Sequence, residues 1–130
     1  MTNTYSFDPA TEPYVSLATF RRTGIEVKTP VWIAAVATRY YVFSSGDAGK
    51  VKRIRVNSKI RMAACDLRGA EIKSEWIDGE ARLITDPAVI AAASTALRAK
   101  YGFQMKVGDF FAKLTGRMQK RTYIEITLGE

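Results

Sequence analysis

Histidine is missing from this 130-residue sequence, and cysteine occurs once, as Cys65. Without histidine the chain lacks the commonest general base and metal ligand, and it can form neither a Ser/His nor a Cys/His nucleophile pair. A single cysteine excludes an intrachain disulfide framework and, with no histidine, argues against a structural zinc site. Cys65 ends an apolar run, so we expect a buried, inert thiol. Any catalysis is therefore expected to come from a bound organic cofactor, with no metal ion.

Long apolar runs are missing as well. No stretch approaches the roughly 18 residues of a membrane-spanning helix, so stable membrane insertion is not expected. The N-terminal segment lacks the charged and then apolar layout of a signal peptide, which predicts a cytoplasmic location. With 47% hydrophobic residues, the chain is predicted to form a single domain, 1–130, with a core of its own.

Acidic residues are outnumbered: 20 lysines and arginines face 13 aspartates and glutamates, for a formal net charge of +7. Such a surplus favours an anionic ligand, and on electrostatic grounds it favours nucleic acid equally. A nucleic-acid module would use aromatic side chains as stacking platforms, here Tyr14, Phe20, Tyr40, Tyr41 and Phe43. These aromatics are embedded in β-like runs, where core or interface packing accounts for them. We therefore expect a small-molecule ligand and no nucleic acid.

The cations are concentrated after a turn of small residues at 44–49. No acidic residue follows Asp47 in this segment, which contains Lys50, Lys52, Arg53, Arg55, Lys59 and Arg61. Residues 49–57 are predicted to form a short helix with Val51 and Ile54 on its apolar side. Cations crowd the first turn, where the helix dipole and free N–H groups favour negative charge, so the segment predicts a phosphate site. A solvated basic helix or a nucleic-acid patch is the alternative.

The remaining pattern is mostly β. Strands are predicted at 14–21, 25–36, 40–43, 60–66, 70–85 and 119–128. Pro30 should mark an edge, a bulge or a strand end, and a bulge is predicted at Gly79. One long helix is predicted to begin at Asp86 and Pro87 and to end at Gly102, and a weaker helical or irregular piece covers 107–114. This order predicts a small antiparallel barrel with helices packed on its outside.

Several segments, taken in order, resemble a known family. They are Val15-Ser16-Leu17-Ala18-Thr19-Phe20, Gly24, Thr29-Pro30-Val31-Trp32, Gly49-Lys50-Val51-Lys52-Arg53-Ile54, Cys65-Asp66, Gly69 and Lys100-Tyr101-Gly102. Together they resemble the split β-barrel flavin/deazaflavin oxidoreductases, and more narrowly the branch, related to pyridoxamine 5′-phosphate oxidase, that uses coenzyme F420. The likeness extends from Tyr14 to Leu128. Ser58 departs from it, since the family often has proline after the basic helix.

The resemblance implies a mainly β fold: a six-stranded antiparallel split β-barrel with short peripheral helices, forming a homodimer with two cofactor sites at the subunit interface. The isoalloxazine-like ring of the cofactor would lie along Thr29, Pro30, Val31 and Trp32. Its phosphate would bind at the cationic segment, on Ser44, Ser45, Lys50, Lys52 and Arg53. Trp32 and Trp76 are candidates to line the substrate side of the ring, because aromatic faces stack on planar ligands; the alternative for both is core or interface packing.

Coenzyme F420 is the expected cofactor, with FMN as the alternative. Both carry a tricyclic ring and a phosphate, but F420 also has a lactyl group and an anionic glutamate tail. Further cations could meet this tail: Arg55, Lys59 and Arg61, or Lys113, Arg117, Lys120 and Arg121. The expected reaction is hydride transfer from reduced deazaflavin to a conjugated acceptor such as a quinone, an enone or a tetrapyrrole. No catalytic residue is predicted, and a non-catalytic carrier of F420, a flavin or a tetrapyrrole remains open.

Overall fold

The computed structural model describes residues 7–116 and 120–129, which form one seven-stranded sheet and three helices. The strands are β1 (Val15–Phe20), β2 (Glu26–Val31), β3 (Ala34–Val36), β4 (Arg39–Ser45), β5 (Lys59–Ala64), β6 (Ile77–Ile84) and β7 (Arg121–Leu128). The helices are α1 (Gly49–Val56), α2 (Pro87–Tyr101) and α3 (Phe103–Leu114). All neighbouring strands are antiparallel, in the order β2-β1-β5-β6-β7-β4-β3. The predicted class, an antiparallel split barrel with peripheral helices, is confirmed, with seven strands rather than six.

The additional strand comes from the segment predicted as one strand over 25–36. β2 ends at Val31 and β3 starts at Ala34, so the break falls between them, at Trp32 and Ile33. Pro30 itself stays in register with β1. β2 is an edge of the sheet, where a proline is tolerated because its missing N–H can face away from the ladder.

The strand predicted over 70–85 is shorter, since only Ile77–Ile84 forms β6. The bulge predicted at Gly79 is wrong, because this residue pairs in unbroken register with both neighbouring strands. Glycine is needed there for a different reason. A Cβ atom would lie 2.6 Å from the Thr127 carbonyl oxygen, so a larger residue would push the strands apart.

Helices α1 and α2 begin where the sequence predicted, and α2 also ends at the predicted glycine. α1 starts at residue 49 as predicted, and α2 begins after Asp86, whose carboxylate accepts a hydrogen bond of 2.9 Å from the Ala88 N–H. Gly102 ends α2 with a φ of 54°, a left-handed conformation that favours glycine. α3 starts directly after it, at Phe103, and not at 107. Gln119, the predicted start of the last strand, lies outside the described residues.

Two apolar clusters hold the elements together, one on each face of the sheet. The first fills the barrel interior, where Val51 and Ile54 of α1 join residues of the strands such as Leu17, Val42 and Ile124. The second lies between the outer face of the sheet and the two later helices, with Tyr41, Ala93, Leu97, Tyr101, Met105 and Tyr123 among its members. Because α1 buries its apolar side in the first cluster, its cationic first turn is fixed relative to the strand ends.

Candidate functional site

The two segments that the sequence predicted to bind one ligand meet at a single cleft. Its volume is about 440 Å³, and it is lined by Tyr14, Pro30, Val31, Trp32, Phe43, Lys50, Leu67, Gly108 and Arg121. A smaller cavity of about 190 Å³ shares two of these residues and is lined by Phe43, Ser44, Ser45, Ala112 and Arg121. The end of β2, the start of α1 and one side of α3 therefore border one elongated space.

Lys50 and Arg53 form a cationic pair on α1. They lie three residues apart and so share a side of the helix. Lys50 Nζ donates to Ser44 Oγ at 3.3 Å, and Arg53 Nε donates to Thr19 Oγ1 at 2.6 Å. Within the described ranges neither cation makes an ion pair with a carboxylate. Burial lowers the pKa of both groups, and the adjacent Arg53 lowers the pKa of Lys50 further, so a bound anion would relieve both effects.

The start of α1 adds backbone donors to this pair. Ala48, the residue before the helix, has no side chain that could cap it, and the first turn holds no acidic residue. Gly49 lies against the Arg53 guanidinium, since a Cβ atom there would fall 2.7 Å from Arg53 Nη1. Uncapped N–H groups and the positive end of the helix dipole favour an anion at this place. We call Ser44, Lys50, Arg53 and the start of α1 the anion pocket, because their donors suit an anion; of its two cations, Lys50 lines the cleft and Arg53 lines neither cavity.

Two predicted phosphate ligands, Lys52 and Ser45, lie apart from the anion pocket. Lys52 is exposed and lies about 200° around α1 from Lys50, at about 100° per residue. Ser45 borders the smaller cavity together with Ser44, but its side chain alternates to the opposite face of β4. The Ser45 hydroxyl donates to the Asp47 carboxylate instead.

Trp32 forms an aromatic wall of the cleft. Its ring stacks on Tyr101 with centroids 4.6 Å apart and planes 11° apart, and it meets Phe43 edge to face at 6.4 Å. Pro30 and Val31 line the same space. Thr29 is not a lining residue, but its hydroxyl is buried without a hydrogen-bond partner in the described part of the chain. The wall offers a flat apolar surface of the kind on which planar ligands stack.

Lys100 and Tyr101, which the sequence analysis used only in the resemblance, fix the strand break beside Trp32. The Ile33 N–H donates to Tyr101 Oη at 2.9 Å, and this hydroxyl donates to the Pro13 carbonyl at 2.8 Å. Lys100 Nζ donates to the Ile33 carbonyl at 2.5 Å. Burial raises the pKa of Tyr101 to about 12 and lowers that of Lys100 to about 8. Tyr101 thus keeps its proton at neutral pH and satisfies backbone groups that the break would leave unpaired.

Arg121 brings a further cation to the cleft. Its side chain is only 9% exposed, its guanidinium lies 4.3 Å from the Phe43 ring centre, and its Nη1 donates to Asp109 of α3 at 2.8 Å. The sequence predicted Arg121 only as one of seven cations that could meet an anionic tail. Of the others discussed with it, Arg55, Lys59, Lys113 and Lys120 are exposed and line neither cavity, and Arg117 lies outside the described residues.

Trp76, predicted as a substrate-side residue, lies outside the cleft. Its ring centre is 5.1 Å from Lys28 Nζ and 4.8 Å from the Arg61 guanidinium. Arg61, another candidate for the tail, also donates two hydrogen bonds, of 2.7 and 3.0 Å, to the Glu26 carboxylate. Trp76 therefore makes cation–π contacts with strand residues, and the described chain does not bring it to the ring site.

A second polar cluster surrounds the carboxylate of Glu125. The buried Glu125 carboxylate accepts hydrogen bonds from Arg82 Nε at 2.6 Å, Tyr41 Oη at 2.7 Å and Arg39 Nη1 at 3.1 Å. Burial acts to raise the pKa of Glu125, but the bond from Arg82 and its other partners outweigh this and hold it below its ordinary value. The cavity beside this cluster is lined, in the described ranges, by Arg39, Ser58, Glu80, Ala81, Arg82, Glu125 and Thr127, with no aromatic side chain on which a planar ring could stack, so it suits the predicted ligand less well than the cleft.

Cys65 is buried, as predicted. Burial, with a contribution from Asp66, raises the pKa of its thiol. A raised pKa keeps the sulfur protonated at neutral pH, where the thiol is a poor nucleophile. Cys65 does not line the cleft, and its side chain belongs to the packing of the sheet.

Comparison with known proteins gives a family match and a fold match. Residues 7–130 match the family model described as pyridoxamine 5′-phosphate oxidase. No curated protein matches the sequence significantly. Among solved structures, the conserved hypothetical protein Rv2991 of Mycobacterium tuberculosis aligns with a TM-score of 0.71 and 14% identity over 93% of this chain and 76% of that one.

Several of the other matching structures have functional names, including a heme storage protein and an F420 reductase. The heme storage protein HutZ of Vibrio cholerae aligns with a TM-score of 0.71 and 12% identity, over 94% of this chain and 85% of its own. An F420 reductase aligns with a TM-score of 0.62 and 15% identity, over 100% of this chain and 97% of its own. At these identities, the likeness establishes a common fold.

Proposed function

Because the chain belongs to the pyridoxamine 5′-phosphate oxidase family, we propose that it is an F420-dependent oxidoreductase that transfers hydride from reduced deazaflavin to a conjugated small molecule. The observation that carries the proposal is the anion pocket, where Lys50 and Arg53 face no carboxylate in the described chain. Lys50 of this pocket lines the same cleft as the flat ring of Trp32, and Ser44 lines the adjoining cavity. A ligand with a phosphate and a planar ring system suits this pairing of cations and aromatic wall.

The cleft residues fit F420 in three respects. Lys50, Arg53 and Ser44 would hold the phosphate, and the lack of a side chain on Gly49 leaves room for the guanidinium beside it. Pro30 and Val31 would hold the ring, with Trp32 on the side where the acceptor binds. Arg121 would meet a second anionic group, which F420 has and FMN lacks. This second cation is the reason for preferring F420 to FMN.

A heme ligand fits the chain less well. The sequence has no histidine, a common axial ligand of heme iron. Of the other usual iron ligands, the cleft-lining side chains include one tyrosine, Tyr14. A heme-binding role, known by name for one structural relative, is therefore not proposed for this chain.

The protein's part in the reaction is to bind the cofactor, to orient the acceptor against it and to shield both from competing reactions. When bound, reduced F420 supplies a hydride to the acceptor. Trp32, held by the Tyr101 ring and by the Ile33 hydrogen bonds, orients the acceptor against the ring site. Tyr101 donates its proton to a backbone carbonyl and has a pKa of about 12, so it is unsuited to protonate product. Solvent at the open cleft is the proposed proton source.

The deciding experiment has two stages. The purified protein is titrated with F420, FMN and heme, followed by absorbance and fluorescence, and F420 should bind most tightly. Reduced F420 is then mixed with the protein and a panel of quinones, enones and tetrapyrroles, and its reoxidation is followed at the deazaflavin absorbance band. Faster reoxidation than in buffer supports the proposal. If F420 binds tightly but no acceptor is reduced faster than in buffer, the protein is a carrier of F420 and not a reductase. If FMN binds more tightly than F420, FMN is the cofactor.

Replacing Trp32 with alanine should lower turnover more than it weakens F420 affinity. The indole is proposed to position the acceptor, so its loss should reduce kcat/KM by about tenfold or more while the phosphate contacts remain. Leu67→Ala is a suitable control, because Leu67 also lines the cleft but offers no flat ring. Steady-state kinetics and F420 titrations of both variants make the comparison. The opposite pattern, with affinity lost and turnover kept, would put Trp32 beneath the cofactor.

A homodimer is part of the proposal, motivated by the family resemblance and by the open cleft, where Leu67 is 64% exposed. A partner subunit could cover such an apolar rim. Light scattering should give a mass twice the 14.5 kDa of one chain. A monomer by light scattering that still binds one F420 per chain would contradict this prediction.

A further inference from the structure

Helix α3 exposes a stripe of large apolar side chains. The α3 stripe consists of Phe103, Val107, Phe110, Phe111 and Leu114, whose exposures range from 38% to 77%. At 3.6 residues per turn, these five positions fall within an arc of about 100°. Phe110 and Phe111 pack edge to face with centroids 5.5 Å apart, so the stripe is continuous at its centre.

The α3 stripe points away from the body of the protein. The opposite side of the helix carries Met105, which is fully buried, with Gly108 lining the cleft and Ala112 lining the adjoining cavity. A surface helix ordinarily turns its apolar stripe toward the core. α3 instead packs through its small side chains and one methionine, and four of its five large apolar side chains stay more than half exposed.

The charges around the α3 stripe are positive. Lys106 and Lys113, both exposed, lie along one margin of it. The one acidic residue of α3, Asp109, is turned aside, because its two oxygens bind Arg98 at 3.0 Å and Arg121 at 2.8 Å. With the formal charge of +7 for the whole chain, this margin attracts an anionic surface.

We propose that α3 docks in the plane of an anionic lipid surface, with the α3 stripe among the acyl chains and the two lysines at the headgroups. An apolar helix face flanked by lysines is the pattern of interfacial helices. None of the helices in the described ranges has the length and apolar character to cross a membrane, so the attachment is peripheral. A second copy of the chain would bring the same lysines and no free carboxylate on α3, and so matches this face less well.

The test is sedimentation with lipid vesicles. Wild-type protein should pellet with phosphatidylcholine vesicles containing about 30% phosphatidylglycerol, and less with phosphatidylcholine alone or at high salt. Phe110→Ser with Leu114→Ser should lower the partition coefficient by about tenfold or more, because two apolar side chains that the proposal places among the acyl chains are lost. Ile25→Ser is the matched control, since Ile25 is 55% exposed in a different part of the chain. It should bind as the wild type does.

A second pair of variants tests the charges. Lys106→Glu with Lys113→Glu should abolish the preference for anionic vesicles, whereas Lys59→Glu with Lys73→Glu, of equal net charge, should keep it. Circular dichroism checks that all variants fold, which the exposure of every substituted side chain predicts. The proposal fails if the wild-type protein does not bind anionic vesicles at low salt. It is also overturned if each control variant loses as much vesicle binding as the test variant with which it is compared. It also fails if the serine variant changes the mass by light scattering while lipid binding is absent. None of these readouts involves F420.

Discussion

Alanine at Lys50 should weaken F420 binding by about 1.5–3 kcal/mol, roughly 10- to 150-fold in Kd. Lys50 is half-buried, donates to Ser44 at 3.3 Å and faces no carboxylate in the described chain, so its ammonium is free to pair with a phosphate. The loss should be confined to ligands that carry the phosphate. A deazaflavin without the phosphate, lactyl and glutamate groups should bind wild type and variant alike.

The neighbouring Lys52 provides the control for this prediction. It has the same charge and lies on the same helix, but it is exposed and points away from the anion pocket. Lys52→Ala should therefore change F420 affinity little, as exposed charge pairs are weak. If Lys50→Ala and Lys52→Ala lose the same F420 affinity, the ligand is attracted by the positive surface as a whole and not bound at the anion pocket.

The Lys50 contact also predicts a pH dependence. Burial lowers the pKa of Lys50 in the free protein, and a bound phosphate would raise it. Binding then takes up a proton between the two pKa values, so affinity should fall as the pH rises through the pKa of free Lys50. Lys50→Ala should remove this alkaline fall. A wild-type profile without any alkaline fall would count against a phosphate on Lys50.

Arg121→Ala should weaken F420 binding by at least about tenfold, through loss of a buried, charge-assisted contact with the second anionic group. The guanidinium is held in place by Asp109 and the Phe43 ring, so little ordering is needed when a ligand arrives. The effect should shrink for an F420 analogue that keeps the phosphate but lacks the glutamate tail. Titrations with both ligands measure the difference.

Arg98→Ala separates this role from a structural one. Arg98 binds the other oxygen of Asp109 at 3.0 Å but does not line the cleft. If Arg121 acts on the ligand, Arg98→Ala should keep near wild-type affinity. If the two variants lose affinity to the same degree, Arg121 serves only to hold α3.

Much of the anion pocket could be predicted from the sequence because its parts are local. A run of cations after a glycine turn, on a helix of known period, places Lys50 and Arg53 on one side without any tertiary information. The same period places Lys52, which the sequence analysis grouped with them, on another side of α1, since adjacent positions on a helix diverge by about 100°. Alternation along a strand likewise separates Ser45 from Ser44. The sequence analysis grouped these residues by their position in the chain and did not follow these periods.

Other features depended on long-range contacts. The break at Trp32 and Ile33 is held by Tyr101, which is 68 residues away in the chain from Ile33. The entry of Arg121 into the cleft depends on β7 pairing with β4 and on Asp109 of α3. No local sequence pattern contains this information, because both features depend on which elements become neighbours in the folded chain.

The sequence by itself determined the class of the fold, the limits of α1 and α2, and the concentration of cations in the segment around Lys50. Caps, helical period and charge are local, so they act the same way wherever the segment lies. Only the tertiary structure decided that Trp32 and Lys50 border one cleft, that Trp76 does not, and that α3 turns its phenylalanines outward. The physical reason is that a side chain's surroundings are set by the packing of distant elements, which periodicity does not specify.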